Sequence, residues 1–276
     1  MMHSAPYVGV GVIHHHADFP SVHITPRHVD VWCPPGYASS PDARYPVLYM
    51  HDGQNLFDPA LSYIGVDWGV HEAIARLMAE GRIAGAIVVG IWNTAERLRE
   101  YMPQKPFALP KANRLVHEFT EGYGGLPVSD AYLRFLVEEL KPFVDGTYRT
   151  LPQRERTFIM GSSMGGLISL YSLCEYPEVF AGAGCLSTHW PIGKSLLVGY
   201  VKSALPAPGH HRLYFDYGTE TTDADYEPYQ RRVDALLRAA GYTRGKDWIT
   251  RKFPGAEHSE RAWRERVHIP LEFLLS

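Results

Sequence analysis

Arg156-Thr157-Phe158-Ile159-Met160-Gly161-Ser162-Ser163-Met164-Gly165-Gly166-Leu167-Ile168-Ser169-Leu170-Tyr171 joins a short apolar run to a segment of helical character across a cluster of glycines and serines. The first five residues predict a buried strand, and Leu167–Tyr171 predicts a helix. Between them, Gly161–Gly166 fits G-x-S-x-G with Ser163 at the centre. The pattern has a mechanical reason. A sharp strand-to-helix turn holds the serine in a strained conformation, and glycines two residues to either side let strand and helix approach. The turn lifts the serine hydroxyl above the sheet and sets it at a helix N-terminus, where a nearby oxyanion is favoured. Ser162 has no glycine at both of these positions, so Ser163 is the candidate nucleophile.

Working outward, apolar runs rich in β-branched residues alternate with helical periodicity, which implies a mostly parallel sheet flanked by helices. Eight strands are expected: Val8–His14, His28–Trp32, Tyr45–Met50, Ile83–Ile91, Arg156–Met160, Ala181–Leu186, Arg212–Tyr217 and Trp248–Phe253. Helices are expected at Trp68–Glu80, Ser129–Val144 with an N-cap at Ser129–Asp130, Ser163–Glu175, Pro228–Gly241 and Glu260–Leu275. No helix separates the first strands, so the sheet begins as an antiparallel meander. Between Tyr101 and Gly125 the rhythm breaks at Pro103, Pro106, Pro110, Gly122, Gly124 and Gly125. This excursion, about 101–126, leaves the carboxyl edge of the sheet and reads either as a surface loop or as a lid.

A serine nucleophile needs a base, and the order along such a chain is serine, acid, histidine. His258 lies in Phe253–Ser259, between the last strand and the last helix, at the same edge as Ser163. His268 falls inside a helix, and His210 and His211 precede a strand at the opposite edge. For the acid, Glu220, Asp223 and Asp225 all follow the strand Arg212–Tyr217; Asp223 is favoured and Glu220 is the alternative, while Asp216 on the strand itself reads as structural. The strand ending at Met50 leads into His51-Asp52-Gly53-Gln54-Asn55-Leu56-Phe57, and the amides of Gln54 and Met164 are the expected oxyanion donors, with Gly53 providing the turn. His51 and Asp52 read as loop scaffolding. Trp92, Asn93, Arg97, Glu100, His189 and Trp190 follow strands and are candidates for contact with substrate.

Other classes are excluded by composition. A net charge of −3 without a Lys/Arg stripe argues against nucleic acid as a partner. No apolar run reaches the length of a membrane span, and the first twenty residues lack a secretory signal pattern. Three scattered cysteines, Cys33, Cys174 and Cys185, fit neither a disulfide framework nor a zinc site and suggest reduced thiols in the cytoplasm. His14–His15–His16 cannot chelate one ion, since consecutive strand residues alternate faces. No metal or organic cofactor is expected.

Val31–Tyr37, Tyr45–Phe57, Gly161–Gly166 and Gly255–His258 together resemble the putative-esterase family of α/β-hydrolases. That family includes enterochelin-esterase-like proteins, feruloyl esterases, S-formylglutathione hydrolases and mycolyltransferases. The resemblance runs from about residue 27 to the C-terminus. It implies one α/β-hydrolase domain over 1–276 and a serine esterase acting on a small-molecule ester without a cofactor. It supports Ser163, His258 and the amides of Gln54 and Met164 in these roles. One departure stands out: many relatives carry the acid three positions after the strand-terminal glycine, where this chain has Thr221, and a two-residue insertion would bring Asp223 into the role. A Ser–His dyad is the other arrangement the resemblance permits. An acyltransferase using the same acyl-enzyme, or a silent binding module, are the alternatives in function.

Overall fold

The strand residues alternate between two apolar faces, so the sheet must be covered on both. The computed structural model describes residues 4–6, 10–109 and 112–276. Its strands are β1 (Ser4–Pro6), β2 (Val12–Phe19), β3 (Arg27–Cys33), β4 (Val47–His51), β5 (Ile87–Ile91), β6 (Thr157–Ser162), β7 (Gly182–Leu186), β8 (Arg212–Tyr217) and β9 (Trp248–Lys252). They form one sheet in the order β1-β2-β3-β5-β4-β6-β7-β8-β9. Strands β4 to β9 run parallel, and β1 to β3 form the antiparallel meander at one edge.

Two cores follow from the period-two alternation. Val47, Tyr49 and Ile159 face one of them, with the helix Met164–Glu175 and the helix Glu227–Ala239. Leu48, Met50 and Met160 face the other, with the helix Val70–Ala79 and the C-terminal helices. The order of connection reverses around β4: the chain passes from β4 outward to β5, then returns across β4 to β6. Open α/β sheets hold ligands at the carboxyl ends of strands flanking such a switch point. Here those ends carry the His51–Asn55 turn and Ser163.

Several elements differ from the sequence expectation. The first long strand covers Val12–Phe19 rather than Val8–His14, because His14, His15 and His16 pair with Val31, Asp30 and Val29 of β3. Val8 and Gly9 lie outside the described residues. Ile83–Ala86 is not strand: Gly85 turns at φ 112°, and β5 begins at Ile87. Ser129 does not cap a helix. Its hydroxyl accepts the Gln104 amide at 2.9 Å, and the helix runs from Ser129 to Thr147 through a π-helical stretch, Phe135–Leu140, just before Pro142. A wide turn there accommodates Pro142, which has no N–H to donate to the preceding turn. The last helix is broken into Glu260–Arg266 and His268–Leu275, with Pro270 unable to donate to the carbonyl four residues earlier. The excursion over 101–126 is not an irregular loop. It contains the helices Gln104–Phe107 and Asn113–Tyr123, joined by a Phe107–Phe119 ring contact of 5.5 Å. Pro110 lies outside the described residues.

Candidate active site

Ser163 sits between β6 and the helix Met164–Glu175 with φ 58° and ψ −120°, a region that residues bearing a Cβ seldom occupy. Tertiary bonds hold it there. Its amide donates to the Leu186 carbonyl at 2.9 Å, and its carbonyl accepts the His189 amide at 3.1 Å. The glycine spacing has the expected cause, since a Cβ on Gly161 would lie 2.8 Å from the Gly165 carbonyl carbon. Met164 is the first residue of the helix, so its amide has no intrahelical acceptor.

Across the switch point, β4 ends in a tight 3-10 turn, Gly53–Asn55. The residue with left-handed backbone is Asp52, φ 58°, and not Gly53. Glycine is required at 53 for a different reason: a Cβ would approach the Gly90 carbonyl carbon of β5 to 2.4 Å. The Gln54 side chain accepts the Asn93 amide at 3.3 Å, which ties this turn to the end of β5. Asp52 anchors the same corner. It accepts Arg97 Nε at 2.7 Å and Nη2 at 2.8 Å, and Asn93 Nδ2 at 2.6 Å. Burial would raise the Asp52 carboxyl, but the Arg97 and Asn93 bonds outweigh it and hold the group below its ordinary value. His51 is fully enclosed, with Nδ1 2.8 Å from the Tyr132 hydroxyl, and burial depresses its pKa to about 3.

His258 arrives from the turn after β9. Its amide donates to Thr221 Oγ1 at 2.8 Å, and its ring Nδ1–H donates to Asp223 Oδ1 at 2.6 Å. Asp223 is buried in a 3-10 turn, Thr221–Asp225, that follows β8. Its second oxygen accepts the Ser187 hydroxyl and the Gly218 amide, each at 2.6 Å. Burial pushes this carboxyl up, yet the bonds from His258, Ser187 and Gly218 bring it below its ordinary value. Glu220 precedes this turn, exposed, and among the described residues only Thr219 reaches its carboxylate, at 3.4 Å. The indole of Trp263 meets the His258 ring edge-on at 5.0 Å.

Ser163, His258, Gln54, Asn93 and Arg97 line a single cavity of about 460 Å³, to which Tyr63 and Ile64 add apolar surface. No described residue of the 101–126 excursion borders it. Four other substrate-contact expectations, Trp92, Trp190, Glu100 and His189, also need correction, since none of them borders the cavity. Trp92 donates to Asp30 Oδ2 at 2.6 Å and packs on His28, which directs it to the β2–β3 edge. Trp190 is 1% exposed and donates to Gln230 within the core. Glu100 forms a buried ion pair with Arg27. His189 turns its ring to Tyr226, with Nδ1 2.6 Å from the hydroxyl, and burial together with His258 lowers its pKa to about 4. Tyr226 also interacts with the Ser163 side chain.

Sequence patterns assign no role to Ser187 and Tyr226, which brace the acid and the serine, and mark Thr221 only as the acid's usual position, whereas its hydroxyl accepts the His258 amide. Each follows a strand or opens a helix at the carboxyl edge, which was the available signal. Among the described residues, no group of three or more His, Cys, Asp or Glu could hold a metal ion. No described helix is long and apolar enough to cross a membrane.

The family model described as "Putative esterase" matches residues 24–268. The chain belongs to this esterase family. The esterase is 25% identical over 255 residues to the uncharacterized protein YbbA of Bacillus subtilis, covering 90% of this chain and 92% of YbbA. It is 29% identical over 158 residues to the ferri-bacillibactin esterase BesA of the same organism, covering 54% of this chain and 50% of BesA. Solved structures with the same fold include an IroE-like serine hydrolase from Shewanella oneidensis, TM-score 0.72 at 19% identity, covering 95% of this chain and 79% of that one. Another is the enterobactin esterase FES from Shigella flexneri, TM-score 0.69 at 18% identity, covering 98% and 60%. The fold is the α/β-hydrolase fold, and the esterase is a carboxylic ester hydrolase.

Proposed function

We propose that the chain hydrolyses carboxylic esters of small molecules through an acyl-enzyme on Ser163. Ser163 Oγ attacks the ester carbonyl while His258 Nε2 takes its proton, and the amides of Gln54 and Met164 receive the developing oxyanion. The tetrahedral intermediate collapses, the C–O bond to the alcohol breaks, and His258 protonates the departing alkoxide. Water then attacks the acyl carbon with His258 again as base, and the acid leaves as Ser163 recovers its proton. Asp223 holds the imidazole with Nδ1 protonated, which leaves Nε2 as the basic nitrogen. The observation that carries this reading is the 2.6 Å bond from His258 Nδ1 to Asp223 Oδ1 beside a cavity that Ser163 also lines.

Asn93 and Arg97 support a polar side of the bound ester, and Tyr63 and Ile64 an apolar one. The unpaired state of Cys33, Cys174 and Cys185 supports a reducing, cytoplasmic setting. Ser163→Ala is expected to abolish hydrolysis of p-nitrophenyl butyrate with the thermal midpoint nearly unchanged. A fluorophosphonate probe should label the wild-type protein at Ser163 and leave the variant unlabelled. Retained turnover in Ser163→Ala refutes the proposal.

A further inference from the structure

The cavity beside Ser163 holds three charged side chains, Asp52, Arg97 and Glu260. Asp52 and Arg97 neutralise one another through a two-pronged ion pair. Glu260 has no such partner. Among the described residues its carboxylate has neither an ion pair nor a side-chain hydrogen bond, although the residue is only 8% exposed. Its own backbone amide is the single donor that reaches it, and its charged neighbours are Asp52, Arg97 and His258. A largely buried carboxylate that makes no ion pair is costly, and such groups are normally paired. This one faces the space in which substrate must sit.

Its position selects one half of the ester. Glu260 is two residues beyond His258, the group that on the reading above protonates the leaving alkoxide. The alcohol portion therefore leaves past the Glu260 side of the cavity. The rings of Trp263 and Tyr63 line the same space, and aromatic walls beside a carboxylate suit a cation.

We propose that Glu260 forms a subsite for a positively charged group on the alcohol half of the ester, so that the enzyme prefers cationic alcohol esters and rejects anionic ones. This rests on the esterase reading and adds a substrate class to it. An ammonium two carbons from the ester oxygen would give Glu260 an ion-pair partner, and a sulfonate there would face it with like charge.

Three butyrate esters test the proposal, because their alcohols are similar in size and differ in charge: choline (positive), 3,3-dimethylbutanol (neutral) and isethionate (negative). All three form the same butyryl-enzyme, so differences in kcat/KM arise in acylation alone. In the wild-type protein the order should be choline, then dimethylbutyl, then isethionate, with about 10- to 100-fold between the first two, carried mainly in KM. Glu260→Gln should bring the three values to within about threefold of one another. A wild-type enzyme that hydrolyses the isethionate ester as well as the choline ester overturns the subsite, and this measurement needs no variant. Retention of the wild-type order in Glu260→Gln overturns it equally. Hydrolysis of these esters by Ser163→Ala would instead sink the acyl-enzyme reading, so the two failures are distinguishable.

Discussion

The Ser187 hydroxyl donates to Asp223 Oδ2 at 2.6 Å while accepting Trp263 Nε1 at 3.0 Å and Arg266 Nη2 at 2.9 Å. One hydroxyl thus uses its donor and both acceptor sites, and its orientation is fixed from three sides. Arg266 is held in turn by Asp216, whose oxygens accept its guanidinium at 3.1 and 3.2 Å. The acid opposite His258 is therefore placed by residues from the turns after β7 and β8 and from the helix Glu260–Arg266.

Asp223→Asn should lower kcat by roughly 10³- to 10⁴-fold, since an amide cannot hold the imidazole in the same tautomer. Ser187→Ala should act through Asp223 and be milder, about tenfold in kcat with KM little changed, because the Gly218 amide still holds Oδ2. It should also reduce stability by about 1–3 kcal/mol, as the Trp263 and Arg266 donors lose a buried acceptor. Equal losses in the two variants would argue against this division of roles.

Acid sensitivity should trace in part to His51. Its folded pKa is depressed to about 3 by burial, against an ordinary 6.5, so the neutral ring is the folded form. Above pH 6.5 the unfolded chain is neutral too, and the contribution to stability is fully present. As pH falls from 6.5 toward 3, only the unfolded chain takes up the proton, and stability is lost at about 1.4 kcal/mol per pH unit. Urea unfolding between pH 7 and 5 should show a shallower pH dependence in His51→Gln, by an amount that grows toward about one proton at pH 5. An unaltered slope would count against an enclosed neutral ring.

Glu100→Gln should cost about 3–5 kcal/mol in unfolding free energy, because it strands the Arg27 guanidinium without its counter-charge. The two side chains are 2% and 1% exposed, so solvent offers no rescue. Glu100 does not border the cavity, so kcat/KM of the folded fraction should stay within about twofold of wild type. Chemical denaturation and initial rates on the same samples check both statements.

Gly53→Ala should be among the most damaging single-methyl additions in the chain. The new Cβ would meet the Gly90 backbone at 2.4 Å, and neither strand end can retreat without moving Gln54. We expect destabilisation of several kcal/mol and a loss in kcat of at least about 10²-fold, the order seen when one oxyanion donor is removed. Gly122→Ala, in open space, is the control and should be close to neutral.

Strands whose boundaries are marked by abrupt changes in character, such as Arg212–Tyr217, were legible to the residue. The elbow was legible because glycine spacing reports backbone crowding, a local property. Boundaries set by distant partners were not. The strand Val12–Phe19 carries three histidines and an aspartate and looks polar, yet pairing with β3 extends it through them. The helices between Gln104 and Tyr123 were hidden behind prolines and glycines, because their stability comes from packing such as Phe107 on Phe119 and not from intrinsic propensity.

By itself, the amino-acid order determined the alternation of strand and helix, the bend at Ser163, and that a histidine near residue 258 would return to the same edge of the sheet. These follow from periodicity, glycine sterics and chain direction, all of which act over a few residues. Tertiary structure alone decided which carboxylate meets His258, which aromatics turn inward, and that Glu260 lines the cavity without an ion pair. Those outcomes depend on distance and desolvation between segments far apart along the chain, such as Ser187, Asp223 and His258, and no local pattern encodes them.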